Sequence, residues 1–144
     1  MKLNEDAALA WIVSTLENDA VLSPLIHAVA PEAVWGTLNS PFVRIDRLEA
    51  NDLMVIGTIR VWTDCVFHVR GVHHWRSGGP PDRSTVEAIG ERIDELLHGI
   101  EGGDDTVHLH AFREGSTPDP TLIDGNKVWL QAGGLYRCRA TALA

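Results

Sequence analysis

The stretch Cys65–Gly99, CVFHVRGVHHWRSGGPPDRSTVEAIGERIDELLHG, constrains the fold more than any other part of the chain. Cys65, Phe67 and Val69 alternate with Val66, His68 and Arg70, the period of two that belongs to a strand. Arg76-Ser77-Gly78-Gly79-Pro80-Pro81-Asp82 then ends regular structure, because glycine is permissive and the prolines remove donors and fix φ. A central helix is predicted at about 84–98. Ser84 and Glu87 stand at capping-box spacing, and Val86, Ile89, Ile93, Leu96 and Leu97 recur on one helical face before Gly99 supplies a stop. Removing those side chains from water contributes on the order of 10 kcal/mol before chain entropy is subtracted. A helix laid on a sheet through this stripe is the expected core.

The rest of the chain is read around that unit. Asn4 is the predicted cap of a first helix, Glu5 to about Asn18, with Leu9, Ile12, Val13 and Leu16 as its apolar face. Ser23-Pro24 opens a second short helical stretch ending near Ala30-Pro31. Val34–Leu38 is a short apolar run, a candidate strand that Trp35 would seat. Val43 and Ile45 alternate within the strand that follows Pro41, and Asn51-Asp52 reads as a turn. Leu53–Thr63 is apolar on both faces, so as a strand it is either central and covered or turned towards another chain. Glu101–Asp105 reads as a loop, Thr106–Arg113 as a strand, and Glu114–Gly125 as a long connection. The last strand runs from Val128 to Ala140, with Gly133-Gly134 a candidate bulge or bend. The predicted fold is α+β, a mainly antiparallel β-sheet packed against two main helices, in a single domain over residues 1–144.

Charge narrows the partners. With 12 basic and 20 acidic residues the net charge is −8, which argues against sequence-specific nucleic-acid binding, since phosphates need a basic footprint. The row Lys127, Arg137 and Arg139 reads as a solvated or interfacial strand face. No apolar run reaches the roughly 18–20 residues of a membrane span, and MKLNEDAALAWIV lacks a secretory signal pattern. The expectation is a chain of the cytosol, with Cys65 and Cys138 a reduced core pair.

The motifs of catalysis are missing. His108 and His110 share a strand face, His68 and His74 share another, and His73 points away from them, but no carboxylate or thiol stands at ligand spacing. HExxH, CxxC, GxSxG and a phosphate loop do not occur. No catalytic residue, cofactor or metal site is predicted, and the chain is not expected to be an enzyme. Trp62 and Trp129 fall on the more polar faces of their strands, where a large ring needs a cover: a helix in a monomer, a neighbouring subunit in an oligomer. With Leu135, Arg137 and Arg139 they are the candidate subunit-interface residues. Glutamate at Trp62 or Trp129 is accordingly expected to leave the fold intact and block assembly.

The order of these elements resembles the tail-completion, or tail-terminator, proteins of long-tailed phages and prophages. The resemblance is carried by the N-terminal helix ending in AVLSPLI at Ala20–Ile26 and by Pro41-Phe42-Val43-Arg44-Ile45. It continues through His73-His74-Trp75, the Gly/Pro break, the helix from Val86 to Gly99, and the closing Leu135-Tyr136-Arg137-Cys138-Arg139. It spans nearly the whole chain as a pattern of lengths and apolar positions, with Leu53–Thr63 and Glu114–Gly125 as departures. It implies a structural protein at the head-proximal end of the virion tail, assembled in the host cytoplasm. Such proteins form a homo-oligomeric ring, usually a hexamer, that caps the tail tube, halts its polymerisation and joins it to the head connector. The implied partners are the chain itself, the tail tube protein and a head-completion protein, with no membrane and with DNA passing through the ring. The alternatives are another head–tail connector or minor tail protein, or a small metal-binding enzyme using His68, His74, His108 and His110.

Overall fold

Two long strands pair over most of their length and set the frame. In the computed structural model, which describes residues 4–31, 39–54, 60–76, 83–118, 121–124 and 127–142, these are β3 (Arg60–Arg76) and β7 (Lys127–Ala142). Their antiparallel register is unbroken from Thr63 opposite Ala140 to Arg76 opposite Lys127. Around them lie α1 (Asn4–Glu17), a 3-10 turn (Ser23–Leu25), β1 (Val29–Pro31), β2 (Phe42–Met54), α2 (Ser84–Leu97), β4 (Ile100–Gly103), β5 (Val107–Ser116) and β6 (Thr121–Asp124). The sheet runs β1-β2-β3-β7-β5-β4, and β6 pairs with the start of β7. Among the described residues every pairing is antiparallel except β1 with β2. The α+β class and the mainly antiparallel sheet are therefore as predicted.

One apolar core joins both helices to one face of the sheet. Ala8, Ile12 and Leu16 of α1 and Ile89, Ile93 and Leu97 of α2 meet Cys65, Phe67 and Val69 of β3 and Tyr136, Cys138 and Ala140 of β7, all fully buried. Leu96 of the predicted stripe, and Leu9 and Val13 of α1, pack at its margin. Glycine permits the close approach of α2. A Cβ at Gly90 would lie 3.1 Å from the Ala132 carbonyl, and one at Gly71 would run into Ile89. Gly99 ends α2 with φ +71°, a left-handed conformation that favours glycine. Beyond α1, Asp19 accepts from Arg92 of α2 through both carboxylate oxygens, at 2.7 and 2.9 Å. The Arg92 guanidinium holds that carboxyl down at about 2.

Strand pairing corrects several local expectations. Val29–Pro31 is a parallel edge strand beside Val43–Ile45, so helix is confined to the turn at Ser23–Leu25. Asn51 and Asp52 lie inside β2, opposite Asp64 and Thr63, and do not turn the chain. The Leu53–Thr63 run is split between two strands, with Leu53 facing Trp62. The Glu101–Asp105 loop is shortened by β4, and the Glu114–Gly125 connection is shortened at both ends by β5 and β6. Gly133 and Gly134 stay in register with β3; the irregularity lies on β5, between Arg113 and Gly115. Gly133 serves close approach instead, since a Cβ there would strike the Val69 carbonyl. At the start of α2 the capping position belongs to Arg83, not Ser84. The Arg83 carbonyl accepts from the Glu87 N–H at 2.9 Å, and its guanidinium lies 3.6 Å from the Glu87 carboxylate. The Val34–Leu38 run and the Ser77–Asp82 break lie outside the described residues.

Ile93 is fully buried between α2 and the sheet. Ile93→Ala is expected to lower unfolding stability by roughly 2–5 kcal/mol through lost transfer energy and the cavity left behind, read from urea denaturation.

Candidate assembly interface

Because both helices share one face, the other face of the sheet carries no helix among the described residues. Alternation places on it Arg44 and Asp46 of β2; Trp62, Asp64, Val66, His68 and Arg70 of β3; and Gln131, Leu135, Arg137 and Arg139 of β7. Polar groups dominate it and fall into two clusters.

The first is centred on Arg137 of β7, which reaches three other strands. Its guanidinium meets Glu114 of β5 at 2.5 Å, Glu49 of β2 at 3.5 Å and Asp64 of β3 at 3.8 Å. Arg139 bonds Asp64 at 2.9 Å and lies over the Trp62 ring, 4.6 Å from its centroid. Trp62, Leu135 and Arg137 are half-buried and Arg139 is exposed. Exposed pairs of this kind add little to stability singly, so the ladder's main physical effect is to hold its side chains in one arrangement.

The second cluster is deeper. Arg70, only 5% exposed, pairs with Asp46 at 2.8 Å and donates to the Gln131 side-chain oxygen at 2.7 Å. Arg44 shares the same carboxylate at 3.1 Å. Beside them His68 is 8% exposed, and its Nε2 is buried without a hydrogen-bond partner among the described residues. Burial, reinforced by Arg70 and opposed by Asp46, pushes the His68 imidazole down to about 4, so it is neutral at pH 7.

The predicted interface residues therefore separate. Trp129 is 3% exposed and finds its cover within the chain. It meets Phe42 edge-on at 6.5 Å and His74 at 5.3 Å, and forms a small second cluster with Phe42 and Val72. Trp129 thus already has a cover within the chain, and a charge there is expected to disturb the fold. Trp62, Leu135, Arg137 and Arg139 remain together on the open face. Glu49, Asp64 and Glu114, which complete the ladder, were missed, because only strand register reveals what stands opposite an arginine.

His68, His74, His108 and His110 are not brought together as one group. His68 lies with Arg70 and Asp46; His73 and His74 both contact the Ser40 hydroxyl, at 3.1 and 2.7 Å; His110 packs on Phe112, and His108 is exposed. His73 thus joins His74 at the strand end instead of facing away. Among the described residues no group of three or more His, Cys, Asp or Glu is arranged to hold a metal ion. Cys65 and Cys138 stand opposite each other in the core as free thiols, and burial pushes each up to about 12, too high to supply a thiolate nucleophile. Every arginine whose side chain is described is ion-paired to a carboxylate. No helix among the described residues is long and apolar enough to cross a membrane. No protein-family model and no curated protein matches this chain.

Two outcomes follow from this geometry. Trp129→Glu is expected to lower stability by more than about 3 kcal/mol, by removing a packed ring and burying a charge, whereas Trp62→Glu keeps a cooperative thermal transition. The second concerns pH. The folded-state pKa of His68 lies below the unfolded value, so its contribution is complete above about pH 6.5 and is lost as pH falls towards 4. A loss on the order of 2–3 kcal/mol over that window is expected in urea titrations, and His68→Gln should flatten it. The Asp19 contribution falls away only at lower pH, between the ordinary carboxylate value and about 2.

Proposed function

We propose that this chain is a tail-terminator protein, a structural virion component whose copies form a ring that caps the tail tube, stops its polymerisation and joins it to the head connector. The observation that carries this reading furthest is the sheet face that carries no helix among the described residues, where Trp62 sits half-buried under Arg139 in a charge ladder crossing β2, β3, β7 and β5. A pre-arranged aromatic and arginine surface without a helix over it has the composition of protein–protein contact sites. The mechanism is one of geometry. A head-to-tail contact closes into a ring when its rotation closes, one ring face fits the last tube ring, and the other face is too different to accept another.

Charge supports the same role. Arginines already matched to carboxylates leave no spare cation among the described arginines to neutralise phosphates, and the net charge is −8. Such a subunit suits a channel through which DNA passes without adhering. The separated histidines and protonated thiols give no support to the metal-enzyme alternative.

The test is native mass by light scattering over a concentration series, with and without divalent cation, followed by addition to polymerising tube protein. A rise to a closed oligomer and tubes capped at one end under electron microscopy are expected. A chain that neither assembles nor binds tube ends overturns the reading; binding to filled heads alone would assign it to the head side of the connector.

A further inference from the structure

Cys65 of β3 and Cys138 of β7 are the two cysteines of the chain, and strand register sets them directly opposite each other. Both are fully buried, and both are free thiols. The flanking pairs, Asp64 with Arg139 and Val66 with Arg137, keep the same register without a bulge. Directly opposed residues of an antiparallel pair have Cα atoms roughly 4.5–5.5 Å apart and side chains on one face. A disulfide needs Cα atoms roughly 4.4–6.8 Å apart, so an opposed pair meets the requirement without moving the backbone. The row across the sheet is also small on both sides. Ala50 of β2 stands beside Cys65, and Ala111 of β5 stands beside Cys138. Neither neighbour in that row blocks the turn of a thiol towards the sulfur opposite.

The same burial keeps the pair reduced in the closed fold. Both side chains lie in the apolar core that the helices share with the sheet, out of reach of solvent. Burial holds both thiols protonated, and the charge Cys65 would carry raises Cys138 further. Exchange with a reagent in solution therefore requires the core to open.

We propose that Cys65 and Cys138 form a redox-sensitive latch, which a small-molecule disulfide closes by joining them across β3 and β7. When the core opens, one cysteine returns to water, loses its proton and attacks a sulfur of the oxidant. A mixed disulfide forms and one thiolate leaves, taking up a proton. The second cysteine then attacks the protein sulfur of that mixed disulfide and expels the other thiolate. Two protein thiols are oxidised, and one molecule of the reagent is reduced to two thiols. The new bond encloses α2, β4, β5 and β6 in one covalent loop and fixes the register on which the sheet is built.

The experiment holds the full wild-type chain with excess glutathione disulfide, in buffer and in sub-denaturing urea. Samples are quenched with N-ethylmaleimide in denaturant and weighed intact. Label uptake should fall from two groups per chain to none with no glutathione retained, and peptide mapping should join Cys65 to Cys138. Urea should speed the change, because opening limits access. The oxidised chain should melt roughly 5–15 °C higher than the reduced one, and dithiothreitol should reverse the shift. Two labelled thiols surviving in sub-denaturing urea, a stable glutathione adduct, bonds between chains, or an oxidised chain that melts no higher would each overturn the latch. None of these outcomes bears on the ring reading.

Discussion

The structure depends on the pairing of β3 with β7. These strands come from opposite sides of α2 in sequence, yet hold one register from Thr63–Ala140 to Arg76–Lys127. A slip of one residue would turn Cys65, Phe67 and Val69 out of the core and bring Val66, His68 and Arg70 into it, so burial of one face fixes the register. Glycine makes the pairing compatible with a closely laid helix. Gly133 lets β7 approach the Val69 carbonyl, and Gly71 and Gly90 let α2 lie against both strands.

Concentrating both helices on one face leaves the other without a helix among the described residues, and its two ends meet that situation differently. Around Arg70 the answer is a buried network in which Asp46 serves two arginines, Gln131 takes a further donor and His68 stays neutral. Such a network is stable only while its protonation states hold, because an added proton on His68 would place another positive charge beside Arg70. Around Arg137 the pairs face solvent and remain open to rearrangement on contact with a partner. The first cluster consolidates the fold; the second is where an assembly contact is physically reasonable.

Local sequence was a good guide wherever one element's own periodicity settles the question. The α2 stripe, the Gly99 stop and the first helix were legible because a helical face repeats within a few turns. It was a poor guide where the partner is distant. Asn51-Asp52 has the composition of a turn but is held in β2 by pairing with β3, and Val29–Pro31 is a strand only because β2 lies beside it. The two tryptophans make the same point at the candidate site. Each sits on the polar side of its strand, yet Trp129 is covered by Phe42 and His74 whereas Trp62 has Arg139 above it.

The sequence by itself determined the class of fold, the central helix and its core stripe, the acidity of the surface and the lack of a local catalytic motif, since each is set by composition or by spacing within one element. Only the tertiary structure decided the sheet order, the one-sided placement of the helices, the removal of Trp129 from the surface and the ladder joining Arg137 to Glu49, Asp64 and Glu114. The physical reason is that strand register is a non-local quantity: which side chains oppose one another depends on residues up to 77 positions apart, as between Thr63 and Ala140, and no window along the chain contains both.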